Sequence, residues 1–184
     1  FSAANYLEQP YNSDLAFGTG DLCIMVRMRA DIAGSGKQTV LSRYAATGGG
    51  GLEVYLDGTE KLQFRITAND FGSVPRLESA SALTVGAWTQ FCCVRAGAVM
   101  YTFLNGVLSA TRADSGNNIS NALASTFVGV EYSTSYPFAG SLALLRISAT
   151  APTAEQISCR YNDEKHLFTE GAACTIAGTS DAVT

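Results

Sequence analysis

The sequence predicts an all-β protein built as a sandwich of two antiparallel sheets. Three observations point there. Apolar and polar residues alternate with period two through most of the chain, glycine and asparagine turns separate these runs at close spacing, and only one short stretch reads as helix.

The first clear strand is Leu22-Cys23-Ile24-Met25-Val26-Arg27-Met28-Arg29, whose even positions are all apolar while the odd ones end in two arginines. One face therefore belongs to a core and the other turns away from it. Leu52-Glu53-Val54-Tyr55-Leu56 alternates in the same way, and Asp57-Gly58 turns it into Leu62-Gln63-Phe64-Arg65-Ile66, a hairpin. A second hairpin runs from Trp88 to Arg95 through Ala96-Gly97 into Val99-Met100-Tyr101-Thr102-Phe103. Asn105-Gly106 then reverses the chain into Val107-Leu108-Ser109-Ala110-Thr111. Late strands are expected over residues 126–132 and 141–147. Thr153-Ala154-Glu155-Gln156, after Pro152, has the hydroxyl and amide spacing of a capping box, which predicts a helix over 154–160. Ile24, Val26, Val54, Leu56, Phe64, Ile66, Val94, Phe103, Leu142 and Leu144 are expected to face chiefly inward.

Composition bounds what such a domain can do. At 184 residues, 47% hydrophobic and 15% charged, the chain is long and apolar enough for a core that needs no metal or disulfide. A net charge of −4, with no cluster of Lys or Arg, argues against nucleic acid and anionic lipid as partners. No apolar run approaches the roughly 20 residues of a membrane span. The five cysteines, Cys23, Cys92, Cys93, Cys159 and Cys174, are odd in number and lack a C-x-x-C pair, so buried free thiols are expected. Adjacent Cys92 and Cys93 point to opposite faces of a strand and are expected to be unbridged to each other. The opening at Phe1 without Met or leader is expected of a segment of a longer polypeptide.

Several motifs carry a family resemblance across about residues 14–160. They are Gly18-Thr19-Gly20-Asp21 before the first strand, Gln38-Thr39-Val40-Leu41-Ser42-Arg43, Gly86-Ala87-Trp88 leading to Phe103-Leu104-Asn105-Gly106, and Phe138-Ala139-Gly140-Ser141-Leu142 followed by the short helix. With them the chain resembles the laminin G-like jelly rolls of the concanavalin A-like lectin/glucanase superfamily. The flanks, Asn5-Tyr6-Leu7 with Asn12-Ser13-Asp14 and the tail Tyr161-Asn162-Asp163-Glu164-Lys165-His166-Leu167-Phe168, look like segments that bracket this jelly roll in large structural proteins of tailed bacteriophages. Residues 1–168 would then be the jelly-roll domain, and 169–184 a tail whose Cys174-Thr175-Ile176-Ala177-Gly178 resembles the first strand of a following β-propeller module.

The resemblance implies a ligand edge built by the loops near Arg43-Tyr44, the Asn69-Asp70-Phe71 turn and the loop before Phe138. Arg43, Tyr44, Asn69, Asp70, Tyr132 and Tyr136 are thus the candidate ligand-binding residues. On composition alone, the loops holding Phe71, Tyr132 and Tyr136 combine polar groups with aromatic rings, as carbohydrate contacts do. Trp88 alternates with Gln90 and Cys92 and is expected to pack.

Catalysis is not expected. Hydrolytic members of the superfamily need two carboxylates on one strand face, and no such motif is present. Glu53 with Asp57, and Asp163 with Glu164, are expected to be solvated. His166 is the single histidine, too isolated for a nucleophile–base arrangement or a zinc site. Oxygen ligands for a loop calcium could come from Asp21, Asp57, Asp70 or Asp114, but no run gathers them, and calcium-binding relatives draw a carboxylate from where this chain has Ala143 and Leu144. No cofactor is therefore expected. The glycines at 48–51 precede neither lysine nor helix and are expected to form a flexible turn rather than a phosphate loop.

The resemblance thus implies a non-catalytic carbohydrate-binding or adhesion module of a larger virion or tail protein, exposed on the virion or outside the cell. Its partners would be a glycan on a host or environmental surface and other virion subunits, with any oligomer formed through the parent protein. The alternative is a purely structural virion domain that binds only protein.

Overall fold

A computed structural model describes residues 1, 4–45, 49–68, 76–114, 116–132 and 134–169 of the chain. Within these, eleven strands form two antiparallel sheets. The strands are β1 (Leu7–Gln9), β2 (Leu22–Ala30), β3 (Gln38–Arg43), β4 (Gly51–Leu56), β5 (Lys61–Thr67), β6 (Arg76–Ala82), β7 (Thr89–Ala96), β8 (Val99–Leu104), β9 (Val107–Ala113), β10 (Thr126–Val128) and β11 (Gly140–Ser148). One sheet has the order β1-β10-β3-β4-β5-β6 and the other β11-β2-β7-β8-β9. A single α-helix, α1 (Ala154–Glu164), follows β11. No helix among the described residues is long and apolar enough to cross a membrane.

Alternation places the core. Leu22, Ile24, Val26 and Met28 of β2, with Phe91 and Cys93 of β7, meet Leu52, Val54 and Leu56 of β4 and Leu62, Phe64 and Ile66 of β5 between the sheets. Each such side chain withdrawn from water contributes about 1.5–3 kcal/mol. The residues between them, Cys23, Met25, Cys92 and Val94, point to the other side of the five-stranded sheet, where Ile157 of α1 covers them together with Phe103. Val94 and Phe103 are therefore buried as expected, but beneath the helix rather than inside the sandwich. Thr153 and Gln156 close the capping box, and the helix runs on to Glu164, four residues past the expected end. Its last carboxylate pairs with Arg146 of β11 at 2.7 Å. Beyond it, Phe168 packs against Trp88 with ring centroids 4.8 Å apart, so Trp88 does pack, on this outer surface.

Several elements depart from the sequence expectation. The inward placement of Leu144 fails: it is 38% exposed, because a bulge between Ala143 and Arg146 and a positive φ of 52° at Leu144 shift the alternation and bring Leu145 against the core. The strand expected over 126–132 stops at Val128, where Gly129 takes a positive φ of 84° and ends the pairing. The strand β6 carries serines and alanines on both faces, a pattern too weak to announce a strand. Gly50 and Gly51 are also more than a flexible turn. A Cβ on Gly50 would lie 2.0 Å from the carbonyl oxygen of Asn118, and one on Gly51 would lie 2.4 Å from Cβ of Tyr44, so glycine is required by close approach. The expected strand around Cys174 lies outside the described residues.

Two inward-facing arginines close one end of the sandwich. Arg95 of β7, with no solvent exposure, donates to the carbonyls of Gly20 (2.7 Å), Asn117 (2.9 Å) and Gly18 (2.9 Å) and lies 3.7 Å from Asp114. Arg43 of β3 donates to the carbonyls of Ile119 at 2.9 Å and Asn121 at 3.5 Å. Burial pushes both guanidiniums below their ordinary range without neutralising them. The connection between β9 and β10 is thereby held across the end of the core, where Ile119 is buried. Replacing Arg95 with Met is expected to cost about 3–5 kcal/mol, because the buried Asp114 is left without its cation and three backbone carbonyls lose their donor. Urea unfolding followed by circular dichroism checks this.

Candidate functional site

The outer face of the six-stranded sheet is not apolar. Glu53 and Tyr55 stand between the core residues of β4, and in the hairpin register Glu53 faces Arg65 and Tyr55 faces Gln63 of β5. Glu53 is fully enclosed, paired with Lys37 Nζ at 2.5 Å and with Arg65 at 3.3 Å. This corrects the expectation of a solvated Glu53. Burial raises its carboxyl above the ordinary range, opposed by Lys37 and Arg65.

Lys37 also reaches Glu131, at 3.2 Å, and its ammonium lies 5.0 Å from the ring centroid of Tyr55 and 4.8 Å from that of Tyr136. The Tyr44 hydroxyl donates to Glu131, and the Tyr44 and Tyr132 rings lie 5.2 Å apart. Burial, then the bond to Glu131, drives the Tyr44 phenol upward, so it stays protonated as a donor. Glu131, Tyr132 and Tyr136 arrive on a tight loop in which Thr134 N–H donates to the Glu131 carbonyl and Glu131 N–H to that of Ser135. Tyr136 has a φ of 51°, a left-handed conformation that a bulky residue rarely adopts, and its carbonyl accepts from Thr39 N–H at 2.8 Å. The residue is 51% exposed. The result is an aromatic surface set on a neutralised cluster of two cations and two carboxylates.

Of the residues expected from sequence, the structure brings Tyr44, Tyr132 and Tyr136 together. Arg43 does not join them: it shares the inward parity of Leu41, and its guanidinium is spent on backbone carbonyls. Asn69 and Asp70 lie outside the described residues. Lys37, Glu53, Arg65 and Glu131 were not foreseen, although the hairpin register already places Glu53 opposite Arg65.

The aspartates considered for calcium are engaged separately. Asp21 accepts from Gly97 N–H at 2.8 Å, and Asp114 lies against Arg95. Asp57 accepts from Thr59 N–H (2.8 Å), Thr59 hydroxyl (2.7 Å), Lys61 N–H (3.1 Å) and the Gln63 amide (2.7 Å). Asp70 is outside the described residues, among which no three metal-ligating side chains cluster.

Comparison with protein families matches residues 1–158 to Laminin_G_3, described as concanavalin A-like lectin/glucanases superfamily. The chain belongs to this superfamily. Its sandwich of six and five strands with one short helix is a concanavalin A-like jelly roll. Solved structures share the fold at low identity. A SAP-like pentraxin from Limulus polyphemus is 16% identical at a TM-score of 0.59, covering 86% of this chain and 82% of the pentraxin. Domain 4 of AbnA, an extracellular GH43 arabinanase from Geobacillus stearothermophilus solved with arabinotriose, is 16% identical at 0.66, covering 86% and 73%. A botulinum neurotoxin type C structure, described by interaction with two ganglioside molecules, is 12% identical at 0.64; the match covers 86% of this chain but 39% of the toxin chain. No curated protein matches the chain.

Within this jelly roll, Asp57 fixes the hairpin that presents Glu53, Tyr55 and Arg65. Burial pushes its carboxyl up, but the four accepted bonds outweigh it and hold it below the ordinary aspartate range. Its contribution is therefore complete above about pH 3.9 and is lost as pH falls through the depressed value. Asp57→Asn is expected to lower stability by about 1 kcal/mol at neutral pH, with the difference from wild type shrinking in acid. Urea titrations from neutral pH downward measure both.

Proposed function

We propose that this jelly roll is a non-catalytic carbohydrate-binding or adhesion module that takes glycan at Tyr132 and Tyr136, with Lys37 and Glu131 as polar contacts. The observation that carries the reading is Tyr136: a half-exposed tyrosine on left-handed backbone, its ring set against an ammonium. Such a ring can stack on a sugar face while neighbouring charged groups bond its hydroxyls. The arabinotriose bound to the arabinanase domain and the gangliosides named for the neurotoxin support this ligand class. Asn69 and Asp70, outside the described residues, remain candidates on the family resemblance alone.

Inactivity on polysaccharides is part of the proposal, and the same cluster supports it. Glu53 is sealed from substrate, and Lys37 occupies the space between the Glu53 and Glu131 carboxylates that a scissile bond would need. Binding is proposed to need no calcium. The phage-like flanks support a parent protein of a virion or tail, with the module displayed on the particle or outside the cell. The exposed apolar edge of β9, at Val107 and Leu108, favours the alternative of a protein-binding virion domain.

A glycan array with and without calcium separates these readings. Tyr136→Ala is expected to weaken glycan binding by about 1 kcal/mol, roughly fivefold in Kd, with unchanged circular dichroism. An array empty under both conditions, or binding indifferent to Tyr136→Ala and Tyr132→Ala, overturns the assignment. Release of reducing ends from a polysaccharide panel would overturn the non-catalytic part.

A further inference from the structure

Antiparallel pairing sets Cys23 opposite Val94 and Met25 opposite Cys92, so the two cysteines are diagonal neighbours on the outer face of β2 and β7. Their Sγ atoms lie 3.3 Å apart in the layer that Ile157 covers. The two sulfurs are not equivalent. Cys92 is completely enclosed, whereas Cys23, 5% exposed, borders a cleft of about 750 Å³ between α1 and β11 whose wall also carries Arg146, Cys159 and Arg160.

We propose that Cys23 and Cys92 are an oxidation site, converted by a small hydroperoxide entering the cleft into a reversible cross-strand disulfide. Cys23 is the sulfur that meets the oxidant. Hydrogen bonding from Cys92 pulls its thiol below the ordinary range, burial opposes this, and the Arg160 charge adds to the fall, while donation to Cys23 and then burial push Cys92 up. The Cys23 thiolate attacks the peroxide, the O–O bond breaks, and Cys23 becomes a sulfenic acid as the leaving alkoxide or hydroxide takes a proton. Cys92 sulfur then attacks Cys23 Sγ, the S–O bond breaks, and the Cys92 proton leaves with hydroxide as water. Two thiols have lost two electrons and two protons to the peroxide. A diagonal pair is wider at its backbone than a directly opposed one, so closing the bond draws β2 and β7 together. Cys93 cannot compete, because it points into the core on the opposite face.

The test is peroxide treatment of the folded, fully reduced chain, followed by alkylation of remaining thiols and peptide mapping with fragmentation. The expected result is the loss of two alkylatable thiols, a Cys23–Cys92 linkage in both wild type and Cys159→Ser, and its reversal by dithiothreitol. Cys92→Ala is expected to leave a Cys23 sulfenic acid that dimedone traps; should that variant not fold, a transient dimedone adduct at Cys23 in the wild-type time course replaces it. A bond through Cys93 or Cys159, or recovery of Cys23 and Cys92 as alkylated thiols, overturns the proposal.

Discussion

Guanidinium groups sealed inside one end of the sandwich hold together parts of the chain that alternation alone would leave unconnected. Arg95 from one sheet and Arg43 from the other both donate to carbonyls of the segment between β9 and β10, and Arg95 also fixes the turn before β2. That segment has no ladder of its own, so its buried carbonyls need donors from elsewhere. The planar guanidinium supplies several at fixed angles. Gly50 depends on the same arrangement, since its backbone touches Asn118 only where this segment lies flat against β4.

The outer faces of the two sheets have separate fates. On the five-stranded sheet Ile157 of α1, anchored by the capping box and by Arg146, covers the outward Cys23, Met25, Cys92 and Val94, and the outward Arg27 donates to the Tyr161 carbonyl of the same helix. On the six-stranded sheet the outward residues are charged and aromatic. Burying Glu53 there is sustained by Lys37 and Arg65 acting together, since an enclosed carboxylate with no cation beside it would be strongly destabilising. Lys37 then joins this cluster to Glu131 and the tyrosine loop, so the strands and the loop form one surface.

The hairpins at Asp57-Gly58, Ala96-Gly97 and Asn105-Gly106 were legible because turn chemistry and alternation act on neighbouring residues. The capping box at Thr153 was legible for the same reason. Misplacements arose where a single residue changed the parity or ended a strand. The left-handed backbone at Leu144 reversed the outward and inward positions of β11, and Gly129 cut a strand short. Tyr132 and Tyr136 could be picked out as loop aromatics, whereas Tyr44 and Arg43 came together from the resemblance and could not be told apart, since parity within β3 depends on which neighbour faces the core.

By itself the sequence determined the sandwich, its principal core strands, the short helix and the superfamily resemblance, because these follow from local periodicity and from motifs read within a few residues. Tertiary structure decided which charged groups are buried and what they meet. Glu53, Lys37 and Glu131 are remote along the chain, and their encounter depends on sheet order and on a loop fixed by long-range contacts. The same holds for Cys23 and Cys92, whose sulfurs become neighbours only through the register of two strands that lie far apart in sequence.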